Sequence, residues 1–367
     1  MRLLSTRNLN KGMVLATSVY SPKGQALIRA GVSVTTRMIQ RLVDLNIQYV
    51  YIEDVQSAGI YIQDPVSSEL RQEAISTIEA SFTGLNKSSA SANALVFEKN
   101  SKVFKGIIHT VLRGIKDNPD LQIVLSDVFT YDSYIFQHSF NVTLYSLAIG
   151  MELKLSDKQL EAIGMGAILH DVGKMLVPEE ILLKPGRLTE EEFIEVKRHS
   201  EYGFEILRKL HTISLTIAHC AFQHHERLDG SGYPRGIKEE DIHPFAKIIA
   251  VADVFDAVTS NRVYRNAMLP HQGLEILYSG AGTLFDTRVV EAFRNSVSIY
   301  PNGLTVVLSD GRKGIIAKQN KGLSDRPVVR IIEEEGQTIS STYEIDLKIE
   351  LHLVITDCNI AMHYDKN

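Results

Sequence analysis

The feature that most constrains the fold is a series of histidines and aspartates dispersed through the middle of the chain. Imidazole nitrogens and carboxylates bind hard or borderline metals, and an aspartate can bridge two of them. The chain has only two cysteines, Cys220 and Cys358, at no spacing typical of a zinc site. The series therefore predicts a site for two metals, an arrangement that commonly hydrolyses phosphate esters. Its members are His170, Asp171, His199, His224, His225 and Asp253.

Local geometry supports part of this series. His170 and Asp171 follow an apolar run, 163–169, that predicts the C-terminal end of a helix. Adjacent helical residues point about 100° apart, so one metal can take the imidazole while the carboxylate lies between two metals. The pair His224 and His225, predicted to be helical, would serve opposite sides of the metals in the same way.

A carboxylate in the apolar segment 248–258 is costly to bury unless it is paired or bound to metal. Asp253 and Asp256, one helical turn apart, both satisfy this argument. The residues alone leave the choice between them open.

The order and spacing of these residues, together with Gly232-Tyr233-Pro234, resemble the HD-GYP family over 97–296. The resemblance implies a helical, metal-dependent phosphodiesterase that acts on cyclic di-GMP. It also implies that His138, His199 and Asp253 are ligands, that Asp171 is the bridge, and that Asp256 is a structural or supporting group. Some members have a glutamate one turn before the first histidine and hold a third metal. Tyr134 stands there in this chain, which favours two metals.

Other residues near this series suit substrate binding. Lys174 would neutralise phosphate charge or protonate the leaving oxygen. The loop 230–236 is too rich in glycine for a helix, and Tyr233 gives it an aromatic surface that the glycines leave free for a guanine base. Arg262 and Arg265 are three residues apart on one predicted helix face, where they would grip phosphate oxygens. Solvent-facing arginines are the alternative.

We therefore expect cyclic di-GMP to be hydrolysed to linear diguanylate or GMP with two divalent metals as cofactors. Iron or manganese is favoured, with nickel and zinc as alternatives for nitrogen and oxygen ligands. Two other hypotheses remain. One is a cyclic di-GMP-binding signalling module with negligible turnover. The other is a hydrolase of another cyclic dinucleotide.

The predicted fold class is multidomain α+β, with a central all-α HD-type domain between a small N-terminal mixed α/β module and a small C-terminal β unit. The predicted boundaries are 1–60 for the N-terminal module, 61–96 for a helix and linker, 97–296 for the HD-GYP domain and 297–367 for the β extension. The N-terminal module suits a sensory or docking role, with a protein partner, or a plain structural role. Leu70, Ala74, Ile78 and Phe82 form an apolar stripe that would pair with a second copy in a homodimer or pack on its own domain.

Composition narrows the class of protein. A net charge of −5 argues against a partner that is a nucleic-acid polymer. No apolar run reaches the length of about 18 residues that crosses a bilayer, and the N-terminus lacks the apolar core of a signal peptide. The sequence thus predicts a soluble, cytoplasmic protein with reduced thiols and no membrane partner.

Overall fold

The structure is a computed structural model, and its descriptions cover the following residues: 1–20, 26–45, 47, 49–61, 66–85, 90–117, 123–124, 134–184, 186–260, 268–320 and 322–358. Among them, no helix combines the length and the apolar character needed to cross a bilayer. Helices dominate the middle of the chain and strands dominate both ends. The predicted α+β class is confirmed.

The N-terminal part combines short strands with one helix: β1 (Arg2–Ser5), β2 (Val14–Leu15), β3 (Val19–Tyr20), β4 (Ala26–Ile28), α1 (Thr36–Asp44) and β5 (Tyr49–Glu53). Strand β5 lies between β1 and β2 in an antiparallel sheet, and β3 pairs with β4. Thr35 is the N-cap of helix α1, because its hydroxyl accepts the N–H of Met38. This part has a small core of its own, with Leu15 and Leu42 at its centre.

The central part is helical: α2 (Ser68–Thr83), α3 (Ala90–Asp117), β6 (Ile123–Val124), α4 (Tyr134–Glu152), α5 (Asp157–Leu169), α6 (Glu179–Leu182), α7 (Glu190–Lys197), α8 (His199–Leu207), α9 (Leu215–Gln223), α10 (Pro244–Thr259), α11 (Pro270–Gly280) and α12 (Thr287–Ser296). Helix α4 packs against α2, α5, α10 and α12, and α9 packs against α5 and α8. These contacts gather the segments that carry the predicted ligands around one shared core.

Helix α2 differs from the sequence prediction at its start. The pair Asp64-Pro65 in the sequence is typical of a helix start, but both residues lie outside the described ones, and the Ser67 hydroxyl caps α2 by accepting the N–H of Leu70. The predicted apolar stripe is real, and it packs on the chain's own core. Of the two alternatives for this stripe, the structure therefore shows packing within the chain. The small polar residues over 86–93 predict a linker within 61–96, but helix α3 already begins at Ala90.

The C-terminal part is a β unit: β7 (Val297–Ser298), β8 (Thr305–Leu308), β9 (Lys313–Lys318), β10 (Val328–Glu334), β11 (Gln337–Asp346) and β12 (Ile355–Cys358). Strands β8 to β12 form an antiparallel sheet in the order β11-β10-β9-β8-β12, and β7 pairs with β6. The sequence Ser309-Asp310-Gly311 predicts a tight turn, and such a turn joins β8 and β9, with Gly311 in the left-handed region at a φ of 87°.

Both ends of the chain meet. The Arg330 guanidinium on β10 donates to the carbonyl of Ala58 at 2.6 Å, and Ile60 packs against Ile315 and Ile332 of the C-terminal sheet. The Arg2 side chain donates to the Thr305 hydroxyl at 3.0 Å. The N-terminal part and the C-terminal sheet are thus in direct contact.

Candidate metal centre

The predicted ligands come together from several helices of the central part, some at helix ends and some in helix interiors. Helix α5 ends at Leu169, immediately before His170 and Asp171, and α9 ends at Gln223, immediately before His224. The sequence pattern predicts a helix over 214–227 that includes His224 and His225, but the helix is shorter and the histidine pair lies in the turn after α9. Two further helices contribute from their interiors: α4 contributes His138 and α10 contributes Asp253.

His199 lies at a break between two helices that the sequence pattern does not predict. The sequence pattern over 189–210 predicts a single helix, but α7 ends at Lys197 and α8 begins at His199. The His199 Nδ1–H donates to the carbonyl of Val196 at 2.6 Å, so the side chain fixes the turn at which the helix breaks. This break buries His199 against the other histidines.

Asp171 is the centre of the cluster, and its two oxygens face two different sets of histidines. Oδ1 lies 3.4 Å from His199 Nε2 and 3.8 Å from His224 Nε2. Oδ2 lies 3.5 Å from His138 Nε2 and 3.4 Å from His170 Nε2. Ligand atoms close enough to hold a metal form two groups that share Asp171. One group is His138, His170 and Asp171, and the other is Asp171, His199, His224 and His225.

Asp253 lies across both groups. Its Oδ1 is 3.1 Å from His138 Nε2, and its Oδ2 is 3.7 Å from His225 Nδ1. Asp256 instead lies behind His138, where Oδ2 accepts the Nδ1–H at 2.6 Å and Oδ1 accepts from Asn141 at 3.0 Å. The geometry thus distinguishes two carboxylates that the sequence could not separate.

The histidine tautomers fit metal binding. His170, His199 and His224 each donate Nδ1–H to a backbone carbonyl three residues earlier, at 2.7, 2.6 and 2.9 Å. A carbonyl can only accept, so the proton resides on Nδ1 and the Nε2 lone pair faces the cluster. His170 Nε2 and Asp171 Oδ1 are buried without a hydrogen-bond partner. Orphaned buried atoms of this kind require a partner, and a cation at this position would supply it.

Burial sets most of the protonation states. It lowers the pKa of His199 to about 4 and the pKa values of His224 and His225 well below the usual range, so all three are neutral at pH 7. Burial also raises the pKa of the Asp171 carboxyl, but the Lys174 ammonium and the neighbouring imidazoles outweigh this and hold that pKa well below its usual range. The Lys174 ammonium is in direct contact with Asp171 Oδ2.

His138 is the exception among the histidines. Burial lowers its pKa, but hydrogen bonds to Asp253 and Asp256 outweigh burial and raise the pKa to about 9. Without a bound metal, His138 is therefore protonated at pH 7. Coordination needs a neutral imidazole, so a metal at this position must displace a proton.

The loop 230–237 packs on the turn that carries His224 and His225. Gly232 approaches this turn so closely that an added Cβ would lie 2.4 Å from the His225 carbonyl oxygen. The peptide bond between Tyr233 and Pro234 is cis, and the Tyr233 ring stacks on the His225 ring at 4.5 Å. The expectation that glycines leave this ring free is wrong, because His225 and the Lys197 ammonium both contact it.

Glu226 holds the loop, and sequence reasoning missed it. Its buried carboxylate accepts the backbone N–H groups of Arg235 at 2.8 Å and Ile237 at 3.1 Å. The available signal was a carboxylate immediately after two ligand histidines, which needs a partner if it is buried. Arg262 and Arg265 lie outside the described residues, and so does the side chain of Tyr134.

The helical domain and its His/Asp cluster, which could hold a metal, can be compared with known protein families. Residues 124–289 match the HD domain family, and residues 305–366 match the KOW domain associated with the HD domain. The central part of the chain is therefore similar to HD domains, in agreement with the resemblance given by its motifs.

Curated relatives carry names that describe cyclic dinucleotide hydrolysis. Cyclic di-GMP phosphodiesterase PA4108 of Pseudomonas aeruginosa is 36% identical over 58% of this chain and 51% of its own length. The cyclic di-GMP phosphodiesterase response regulator RpfG of Xanthomonas campestris is 46% identical over 39% of this chain and 38% of its own. The 3′3′-cGAMP-specific phosphodiesterase 3 of Vibrio cholerae is 38% identical over 47% and 37%. The chain thus spans about half or less of these relatives.

Proposed function

We propose that this protein is a metal-dependent phosphodiesterase that hydrolyses cyclic di-GMP to linear diguanylate or GMP. The observation that carries the proposal is the position of Asp171, with each carboxylate oxygen facing a different group of histidines. Bridging carboxylates of this kind hold metal pairs in phosphoesterases. The names of the relatives support the substrate class.

In this proposal the cluster holds two divalent cations. His138 and His170 would bind one, His199, His224 and His225 would bind the other, and Asp171 would bridge them. Asp253 is near His138 and His225 and would complete the ligand set. The ligands are nitrogen and oxygen without thiolate, which favours iron or manganese, with nickel and zinc as alternatives. Such a pair, when bound, supplies Lewis acidity toward a phosphate and lowers the pKa of water.

The remaining residues have binding and protonation roles. Lys174 touches the bridging carboxylate, so its ammonium would neutralise phosphate charge or donate a proton to the leaving oxygen, or water would donate it. Gly232 and Pro234 would fix the position of Tyr233, which shields His225 from one side and offers its edge to a guanine base. Arg262 and Arg265 keep their proposed role as phosphate ligands.

A second candidate substrate is 3′3′-cGAMP, because one of the relatives is named as specific for it. A binding module with negligible turnover is the other candidate. Product chromatography after incubation of the manganese-loaded or iron-loaded protein with each dinucleotide separates the three. Linear diguanylate or GMP from cyclic di-GMP is expected. Preferential cleavage of 3′3′-cGAMP would identify that dinucleotide as the substrate. Binding of cyclic di-GMP without product would identify the protein as a binding module.

Asp171→Asn tests the bridge. The amide cannot supply two anionic oxygens, so we expect turnover below detection and a loss of bound metal from about two per chain. The matched control is Asp157→Asn, since Asp157 is 78% exposed and pairs with Lys116 on the surface. Elemental analysis and chromatography on both variants measure the effect. Wild-type metal content and turnover in Asp171→Asn would refute the bridging role.

A further inference from the structure

Two residues of α7, Phe193 and Lys197, form a rim beside the cluster, which we call the α7 rim. The Lys197 ammonium lies 4.6 Å from the centre of the Phe193 ring and 5.4 Å from the centre of the Tyr233 ring. Tyr233 in turn stacks on the ligand histidine His225. Only one ring therefore separates the Lys197 charge from the metal ligands.

The charge of Lys197 has no carboxylate partner within the described part of the chain. The neighbouring acids of α7 are engaged elsewhere: Glu192 pairs with Lys184 at 2.7 Å, and Glu195 pairs with Arg198 at 3.0 Å. Two aromatic rings orient the ammonium without neutralising it. A cation beside a metal cluster is repelled unless an anion lies between them, so this arrangement suits a bound anion.

Phe193 adds an apolar platform to the same rim. Its side chain belongs to the exposed large hydrophobic residues, with 48% of its surface accessible. An exposed aromatic ring next to a fixed cation is the combination that binds a nucleotide, because the ring stacks on a base while the cation takes a phosphate.

We propose that Lys197 binds the second phosphodiester of the cyclic dinucleotide and that Phe193 stacks on one of its bases. The inference rests on the proposed function and deepens it. A cyclic dinucleotide carries two phosphodiesters on one ring, so when one lies at the metal cluster the other must lie nearby. Lys197 is a binding residue in this account and takes no part in bond cleavage.

The test compares two substrates in the full-length, metal-loaded protein. Cyclic di-GMP has the second phosphodiester and bases, whereas bis(p-nitrophenyl) phosphate has one phosphodiester only. For Lys197→Gln we expect KM for cyclic di-GMP to rise about tenfold with kcat nearly unchanged, the size expected for a charged hydrogen bond. Turnover of bis(p-nitrophenyl) phosphate should be unchanged. Lys197→Arg should restore most of the affinity.

Matched controls lie close by. Lys209→Gln removes an exposed cation that pairs with Glu205, and it should leave both substrates unaffected. Phe193→Ala should weaken binding of cyclic di-GMP about tenfold through lost stacking. Ile194→Ala, the next residue and 60% exposed, should not.

The outcomes separate this inference from the proposed function. If wild-type protein neither binds nor cleaves cyclic di-GMP in calorimetry and chromatography, the proposed function fails and the α7 rim proposal fails with it. If the wild type binds and cleaves cyclic di-GMP but Lys197→Gln matches Lys209→Gln, only the rim proposal is overturned. Equal losses for both substrates would assign Lys197 to the structure of the cluster and would also overturn it.

Discussion

At the scale of single residues, the cluster depends on which nitrogen carries each proton. Three histidines use a backbone carbonyl to hold the proton on Nδ1, and burial keeps His199, His224 and His225 neutral. His138 differs, because Asp253 and Asp256 hold its pKa at about 9. The residue types of this site could be predicted from the sequence. The proton positions could not, because the His138–Asp256 contact joins residues 118 positions apart.

His138 makes metal uptake dependent on pH. At pH 7.5 the metal-free imidazole is charged, so coordination should release about one proton from it. Apparent metal affinity should therefore rise by roughly tenfold per pH unit from this proton as pH increases, and level off above about pH 9. His199, with a pKa of about 4, is already neutral and should release none in this range.

Calorimetric titration of metal-free protein with Mn²⁺ in two buffers of different ionisation enthalpy counts the released protons. Asp256→Asn removes a negative charge that helps to raise the His138 pKa, so it should reduce the release at pH 7.5. His109→Gln, at an exposed histidine, is the control. Absence of proton release at pH 7.5 in the wild type would contradict the assignment of His138.

At the scale of elements, His170, Asp171, His199, His224 and His225 lie where helices end or break, whereas His138 and Asp253 lie inside helices. Periodicity predicted most helices of the centre, because apolar positions recur at helical spacing along them. It did not predict the break between α7 and α8 at Arg198, because no glycine or proline marks it and the His199 side chain makes the turn. Periodicity also does not predict strand β11, because most of its residues are exposed and carry no alternating apolar pattern.

The loop 230–237 depends on one carboxylate. Glu226→Gln keeps one acceptor but turns an amide NH₂ toward a backbone N–H, and it removes a charged hydrogen bond of about 1.5–3 kcal/mol. We expect hydrogen exchange at the amides of Arg235 and Ile237 to accelerate about tenfold or more. Exchange measured by mass spectrometry or NMR checks this.

The control for the loop is Glu239→Gln. Glu239 is 61% exposed and pairs only loosely with Lys247 at 3.7 Å, so exchange in the loop should be unchanged. Unaltered exchange at both amides in Glu226→Gln would show that the loop is held by other contacts.

At the scale of the whole molecule, the two ends of the chain are packed together. Ile60 contacts Ile315 and Ile332, and Arg330 reaches the carbonyl of Ala58. The sequence predicted a module at each end, but it carried no signal for this contact, because 272 positions separate Arg330 from Ala58. The predicted domain boundaries remain predictions.

Ile60→Ala tests how much this contact contributes to the free energy of unfolding. Ile60 is 2% exposed, and truncation of a buried isoleucine costs about 2–5 kcal/mol. Val55→Ala is the matched control, since Val55 is 91% exposed in the same segment and should change the free energy of unfolding by less than about 0.5 kcal/mol. Urea denaturation followed by circular dichroism compares the two. Equal stability of both variants would show that the ends do not support each other.

The contact between Lys174 and Asp171 has a consequence for the folding of the metal-free protein. In the metal-free protein, the Lys174 ammonium contacts one oxygen of Asp171, and the protonated His138 lies beside Asp253 and Asp256. The negative charges of these buried carboxylates are therefore partly balanced by positive charges of the protein itself. The fold would then not depend on a bound metal to balance these carboxylates, and metal binding would exchange one set of positive charges for another.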